Sequence, residues 1–199
     1  MDNPAAPSAL IAARFSRRTL FAVASIPIIN KAIGTLAAKP VVSVSHGDDT
    51  IPPLSRSRYQ RALSKFRYHN AEAFFCGLDR PVEINPSDQL YRAGIVCQLA
   101  ISAHLLDVGF NDSWCARHIG LDVGKALKFA EATGFGPADL QIVQVCDVLS
   151  PYSRWRNPCG QSQCPDHAIV AQVPTAARQL LDMVRETTGH PRPRKKGMR

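Results

Sequence analysis

From Leu90 to Leu106 the chain is apolar on almost every side of a helix: Ala93, Ile95, Val96, Cys97, Leu99, Ala100, Ile101, Ala103 and Leu105 leave it without a polar face. A helix of that kind needs neighbours all round, which places it in the middle of a bundle. Gln98, Ser102 and His104 interrupt it, and with its length they mark a core helix rather than a membrane span, which needs roughly 20 apolar residues. Asn85-Pro86-Ser87-Asp88 supplies its start, with Ser87 the expected N-cap, and Gly109 its stop.

The remaining periodicity supplies the neighbours. Tyr59, Ala62, Leu63, Phe66, Ala73 and Phe74 recur near helical spacing and predict an apolar stripe turned to the core, while Arg58, Arg61 and Lys65 fall on a solvated side. Asn111 can cap a short helix through His118, and Asp122 another through Thr133-Gly134. Gly136-Pro137 opens a further one with Leu140, Ile142, Val143, Val145, Cys146, Val148 and Leu149 inward. A last helix is expected from about Pro174 to Thr188, stopped by Gly189. The predicted fold class is all-α, a compact bundle of about six helices with an irregular Cys/Pro-containing loop near 150–172. The divisions are a leader over 1–38, a linker over 39–56, the helical domain over 57–189 and a basic tail over 190–199 too charged to form a core.

The charge sits at the ends. The formal net charge is +8. Residues 1–39 hold Arg14, Arg17, Arg18, Lys31 and Lys39 against Asp2, and residues 191–199 hold Arg192, Arg194, Lys195, Lys196 and Arg199 with no acid. Between them, 14 basic side chains meet 15 acidic ones. A nucleic-acid partner needs positive charge on a folded surface that meets phosphate, so the basic balance argues only weakly for one.

The first segment has a polar start with arginines, the apolar run Leu20-Phe-Ala-Val-Ala-Ser-Ile-Pro-Ile-Ile29, then small residues before Lys39-Pro40. The run is too short for a permanent transmembrane anchor, and Pro27, Asn30 and Lys31 interrupt any extension. Ser16-Arg17-Arg18-Thr19-Leu20-Phe21 resembles the bacterial twin-arginine signal, a Ser or Thr, two arginines, any residue, then two apolar ones. The resemblance covers the leader only, and Leu20 stands where that signal usually has Phe. It implies recognition by the twin-arginine translocon and export of a folded protein to the periplasm or envelope, with cleavage near residues 34–38. The alternative is an amphipathic or unstructured leader on a cytoplasmic protein.

Six cysteines allow several chemistries. Cys97 and Cys146 lie in apolar helical runs and are expected as small buried hydrophobes. Cys159 and Cys164 bracket a polar loop and form the expected disulfide if the chain reaches an oxidising compartment. Cys115-Ala-Arg-His118 and Cys164-Pro-Asp-His167 share a Cys-x-x-His spacing, so Cys115, His118, Cys159, Cys164 and His167 compose a thiolate and imidazole set suited to tetrahedral zinc. That set matches no zinc-ribbon or finger spacing. His104 reads as a core histidine before it reads as a catalytic base. Arg154, Trp155 and Arg156 combine aromatic and guanidinium groups in the mixture found at recognition surfaces, although Trp155 could equally close the end of the bundle.

There is no Walker loop, Gly-x-Gly-x-x-Gly, Gly-x-Ser-x-Gly or His-Glu-x-x-His, so no catalytic motif assigns a reaction. Three functions fit these residues: an exported helical protein acting by binding or structural interaction, a helical Cys/His metal-site protein with redox or hydrolytic activity, and a cytoplasmic nucleic-acid-associated protein using its basic ends. The first is the expectation carried forward.

Overall fold

The computed structural model describes residues 50–79, 85–156 and 166–193. Six α-helices appear in chain order: α1 (Arg58–Leu78), α2 (Pro86–Val108), α3 (Asp112–His118), α4 (Val123–Ala130), α5 (Leu140–Val148) and α6 (His167–Thr188). No strand occurs among the described residues, so the all-α bundle is the fold. Ser16, Arg17, Arg18, Leu20 and Phe21 of the leader, and Cys159 and Cys164, lie outside the described residues. No described helix is long and apolar enough to cross a membrane.

The apolar helix is the axis of the assembly. α2 packs against α1, α4 and α6 and against a short 3-10 turn, Tyr152–Arg156, while α5 bridges α4 and α6. Leu90, Ala93, Val96, Ala100, Ile101 and Leu106 are fully enclosed. Its start differs from expectation: Asn85 is the N-cap, its side chain accepting from the Ser87 N–H, because Pro86 at N1 moves the helix start two residues earlier. Gly109 closes it with φ +115°, and a Cβ there would lie 2.8 Å from the Ser55 nitrogen, whose N–H donates to the Gly109 carbonyl. The end of the expected linker is thereby fastened to the bundle.

Asn111 and Asp122 cap α3 and α4 as expected, accepting from the N–H groups of Ser113 and Lys125. α4 proper ends at Ala130. A widened turn, Glu131–Phe135, follows, in which Thr133 and Gly134 leave helical geometry. Gly136-Pro137 does not open α5, which begins at Leu140 with Asp139 before it. Instead Glu131 reaches over the junction and accepts from the Ala138 N–H.

α6 starts well before Pro174, which lies inside it. Asp166 caps it by accepting from the Ala168 N–H, and buried Val170 and Val173 anchor the extra turns, outweighing the one helical bond that Pro174 omits. The irregular stretch therefore contracts at both ends. The tail also begins later than expected. His190 is buried between Ser64 and Thr188, Pro191 receives a hydrogen bond from His69, and Arg192 pairs with Asp182. One large aromatic ring and one guanidinium with partners suffice to dock residues that bulk composition assigned to solvent.

Candidate functional site

α1 has two apolar faces, and the one that packs inward is not the expected one. Tyr68, Ala71, Phe75 and Leu78 enter the core together with the polar side chains of Ser64 and Glu72. Tyr59 is 67% exposed, Phe66 58% and Phe74 39%, and Ala62 and Ala73 on the same line are exposed as well. The expected core stripe is thus the outer surface. Burial of Ser64 and Glu72 sets the rotation, because each finds partners in the interior from distant parts of the chain.

Apart from Tyr68, four residues before Glu72, those partners come from far along the chain. Ser64 Oγ donates to the Ala103 carbonyl at 2.6 Å and accepts from His190 Nε2 at 2.7 Å. Glu72 accepts from the Tyr68 hydroxyl at 2.7 Å and from both terminal nitrogens of Arg178 at 2.9 and 2.8 Å, a forked guanidinium–carboxylate pair. Burial alone would raise the Glu72 carboxyl, but the hydrogen bonds from Arg178 and Tyr68, with the charges of Arg178 and Arg192, hold it below the usual range. Burial, and then the same carboxylate, push the Tyr68 hydroxyl up to about 12. Arg178 also lies over the Phe75 ring at 5.0 Å and binds Asp182, which in turn pairs with Arg192.

Ser64, His190 and Asp107 are the three residue types of an acyl-transfer triad, but not its arrangement. Asp107 Oδ1 lies 4.0 Å from Nε2, the same nitrogen that meets Ser64, and Ser64 is fully buried. Ser64 therefore faces no cleft, and Asp107 does not orient the second ring nitrogen of His190. The cluster holds α1, α2 and the end of α6 together.

The other sequence candidates fall into separate places. Cys115 is buried in the core, its thiol pushed up to about 11 by burial and the Asp112 charge. His118 is exposed, stacked 4.5 Å from the Trp114 ring centroid with Nδ1 donating to the Trp114 carbonyl at 2.9 Å. Thiol and imidazole therefore do not converge, because three residues of helix turn one inward and the other onto its neighbour. His167 is exposed at the start of α6. Among the described residues no three His, Cys, Asp or Glu side chains gather as a metal would require.

Trp155 is buried, and its indole N–H donates to the Val148 carbonyl at 3.0 Å. Arg154 donates to the same carbonyl and lies 4.8 Å over the indole ring, leaving Arg156 as the exposed member of the three. This corrects the recognition-surface reading: the indole closes the bundle end, because Tyr152 at the head of the turn packs on Gly94, where a Cβ would come within 2.2 Å. Cys97 and Cys146 are each 1% exposed, as expected for buried hydrophobes, and the four described cysteines are free thiols. His104 is 2% exposed, its ring 5.0 Å from Phe135, and burial holds it down to about 4, so it is a neutral core residue at neutral pH.

The outer face of α1 remains as the candidate site. Between its first turns and the α2–α3 junction lies a cleft of about 350 Å³, bordered by Ser57, Tyr59, Gln60 and Leu63 on one side and Leu106, Asn111 and Asp112 on the other. Arg58, Arg61 and Lys65 are exposed beside the aromatic line, whereas the one acid within the helix, Glu72, is buried and paired. Compared with protein families, with characterised proteins and with solved structures, the chain matches none.

Proposed function

We propose that this chain is an exported helical protein of the bacterial envelope that acts by binding, and that the outer face of α1 is its docking surface. The observation carrying the binding half is the line of Tyr59, Phe66 and Phe74 held in solvent on a helix whose other side is already filled. Single exposed hydrophobes are ordinary, but aligned aromatic rings on one rigid helix make a contiguous patch of the kind partners cover. Aromatic side chains flanked by arginine also supply most binding energy at protein interfaces. The export half rests on Ser16-Arg17-Arg18 and the short apolar run after it. The oxidising compartment beyond the membrane favours a Cys159–Cys164 bond.

Each half has its own experiment. A photo-crosslinking residue placed at Phe66 in cells should form a specific protein adduct that the same residue at Arg156, exposed in the 3-10 turn, does not form. No adduct at position 66 removes the binding face. Fractionation of cells making the tagged chain, beside a variant with Arg17 and Arg18 both changed to Lys, should show a periplasmic protein that the variant retains in the cytosol. Cytosolic protein in both removes the export reading.

A further inference from the structure

We infer that the occupant of this face is a second copy of the chain, paired antiparallel along α1. The inference rests on the reading of the outer face as a docking surface and adds the partner. α1 has 21 residues with its midpoint at Tyr68. A two-fold axis at that level sets Tyr59 over Gly77 of the second copy, Leu63 over Ala73, and Phe66 over Asn70. A large side chain meets a smaller one in each of these three pairs, and a Cβ built on Gly77 meets nothing within 4 Å, so the space for the tyrosine ring is open. Interdigitation of that kind is what close helix packing needs.

Charge selects the antiparallel sense. Arg58, Arg61 and Lys65 all sit in the first half of α1, and no acid lies in its first turn. Parallel pairing would set these cations against their own copies. Antiparallel pairing brings them to the far end of the second helix, where the carbonyl groups carry partial negative charge and Asp79 is exposed. A two-fold arrangement satisfies both ends at once, because each contact is made twice.

The test uses the purified full chain. Sedimentation over a range of concentrations should show a species of twice the 21.7 kDa chain mass. Phe66→Glu should weaken it by about 30-fold or more, as loss of a central aromatic anchor does, while circular dichroism confirms the fold; Phe66 is exposed in the single chain, so the substitution does not touch its core. Geometry is read by mixing Ala62→Cys and Ala73→Cys variants, each in a Cys76→Ser background. Positions 62 and 73 are about 16 Å apart along one helix, too far for a bond within a chain. A 62-to-73 disulfide between copies, found by mass spectrometry of mixed but not of separate variants, is the expected result.

A 62-to-62 bond indicates parallel pairing and overturns the arrangement. A chain that stays monomeric at every concentration overturns the second copy as occupant. If the position-66 crosslinker then captures another protein, or the monomer binds phosphatidylglycerol vesicles through Phe66, the docking face stands with a different occupant. If it captures nothing and vesicles do not bind, both readings fall.

Discussion

Removing the Arg178 guanidinium while keeping its hydrophobic stem, as in Arg178→Met, tests how α1 is held in its observed rotation. The change deletes two hydrogen bonds to Glu72, two to Asp182 at 3.2 Å each, and the cation over Phe75. Glu72 is left with the Tyr68 hydroxyl and with Arg192 Nε 3.7 Å away, a side chain 48% exposed. Breaking a fully buried pair by removing one partner costs about 3–5 kcal/mol. Arg178 is 27% exposed and Arg192 can close in, so the low end, about 3 kcal/mol, is expected. For a bundle of this size that lowers Tm by about 10 °C.

The pH dependence sharpens the test. Because the folded Glu72 carboxyl is held below its ordinary value of 4.5, its contribution is fully present above that pH and is lost as pH falls through the lower folded value. The stability difference between the parent and Arg178→Met should therefore shrink as urea titrations move from pH 7 toward pH 3, since a protonated Glu72 no longer needs the guanidinium. Adding Glu72→Gln should recover part of the loss at pH 7, because it removes the stranded charge. A penalty below about 0.5 kcal/mol, the scale of an exposed ion pair, would refute the reasoning. So would a difference that does not change with pH.

Three further outcomes follow from the same geometry. In a background with Cys159 and Cys164 changed to Ser, a thiol reagent should label only Cys76 in the native protein, because Cys97, Cys115 and Cys146 are buried and the Cys97 hydrogen bond and burial push the Cys146 thiol up; labelling of more than one site before unfolding contradicts this. His104, held down to about 4 by burial, should show an imidazole resonance that does not titrate above pH 5. It binds fewer protons folded than unfolded, so its contribution of up to about 3 kcal/mol is present above pH 6.5 and is lost between pH 6.5 and 4, as His104→Gln should reveal by flattening that limb. Gly94→Ala forces a Cβ to within 2.2 Å of the Tyr152 Cβ and should cost about 1–3 kcal/mol in chemical unfolding; changing Tyr152 to Ala as well should recover little of it, because alanine keeps the clashing Cβ, and a full recovery would contradict this contact.

What the sequence shows well here is local. Asn111, Asp122, Gly109 and Gly189 work within a few residues of themselves, the first two starting helices by side-chain capping and the glycines ending them by left-handed backbone, each where its type suggests. Pro174 misleads because a proline forbids one hydrogen bond, not a helix, and buried Val170 and Val173 supply more than that bond takes away. His190 and Arg192 escape a composition argument because a basic tail is judged by its average, whereas docking is decided by individual side chains. Cys115 and His118 illustrate the limit of spacing: helical separation of three residues brings side chains to the same general side, but one turns to the core and the other onto Trp114.

The inverted rotation of α1 has a more specific cause, and it bears on the proposed docking face. Apolar periodicity on this helix points two ways, toward Tyr68, Ala71, Phe75 and Leu78 and toward Tyr59, Phe66 and Phe74, so periodicity cannot choose between them. The choice is made by Ser64 and Glu72, whose partners His190 and Arg178 lie more than a hundred residues away. Only the inward orientation gives the Glu72 carboxylate its fork of donors, and turning the helix over would strand Arg178 and expose Tyr68. The side left in solvent is therefore fixed by polar contacts made elsewhere. Its aromatic rings are presented on a rigid helix at no further conformational cost, which is the condition under which a second helix can dock on them without first reordering the chain.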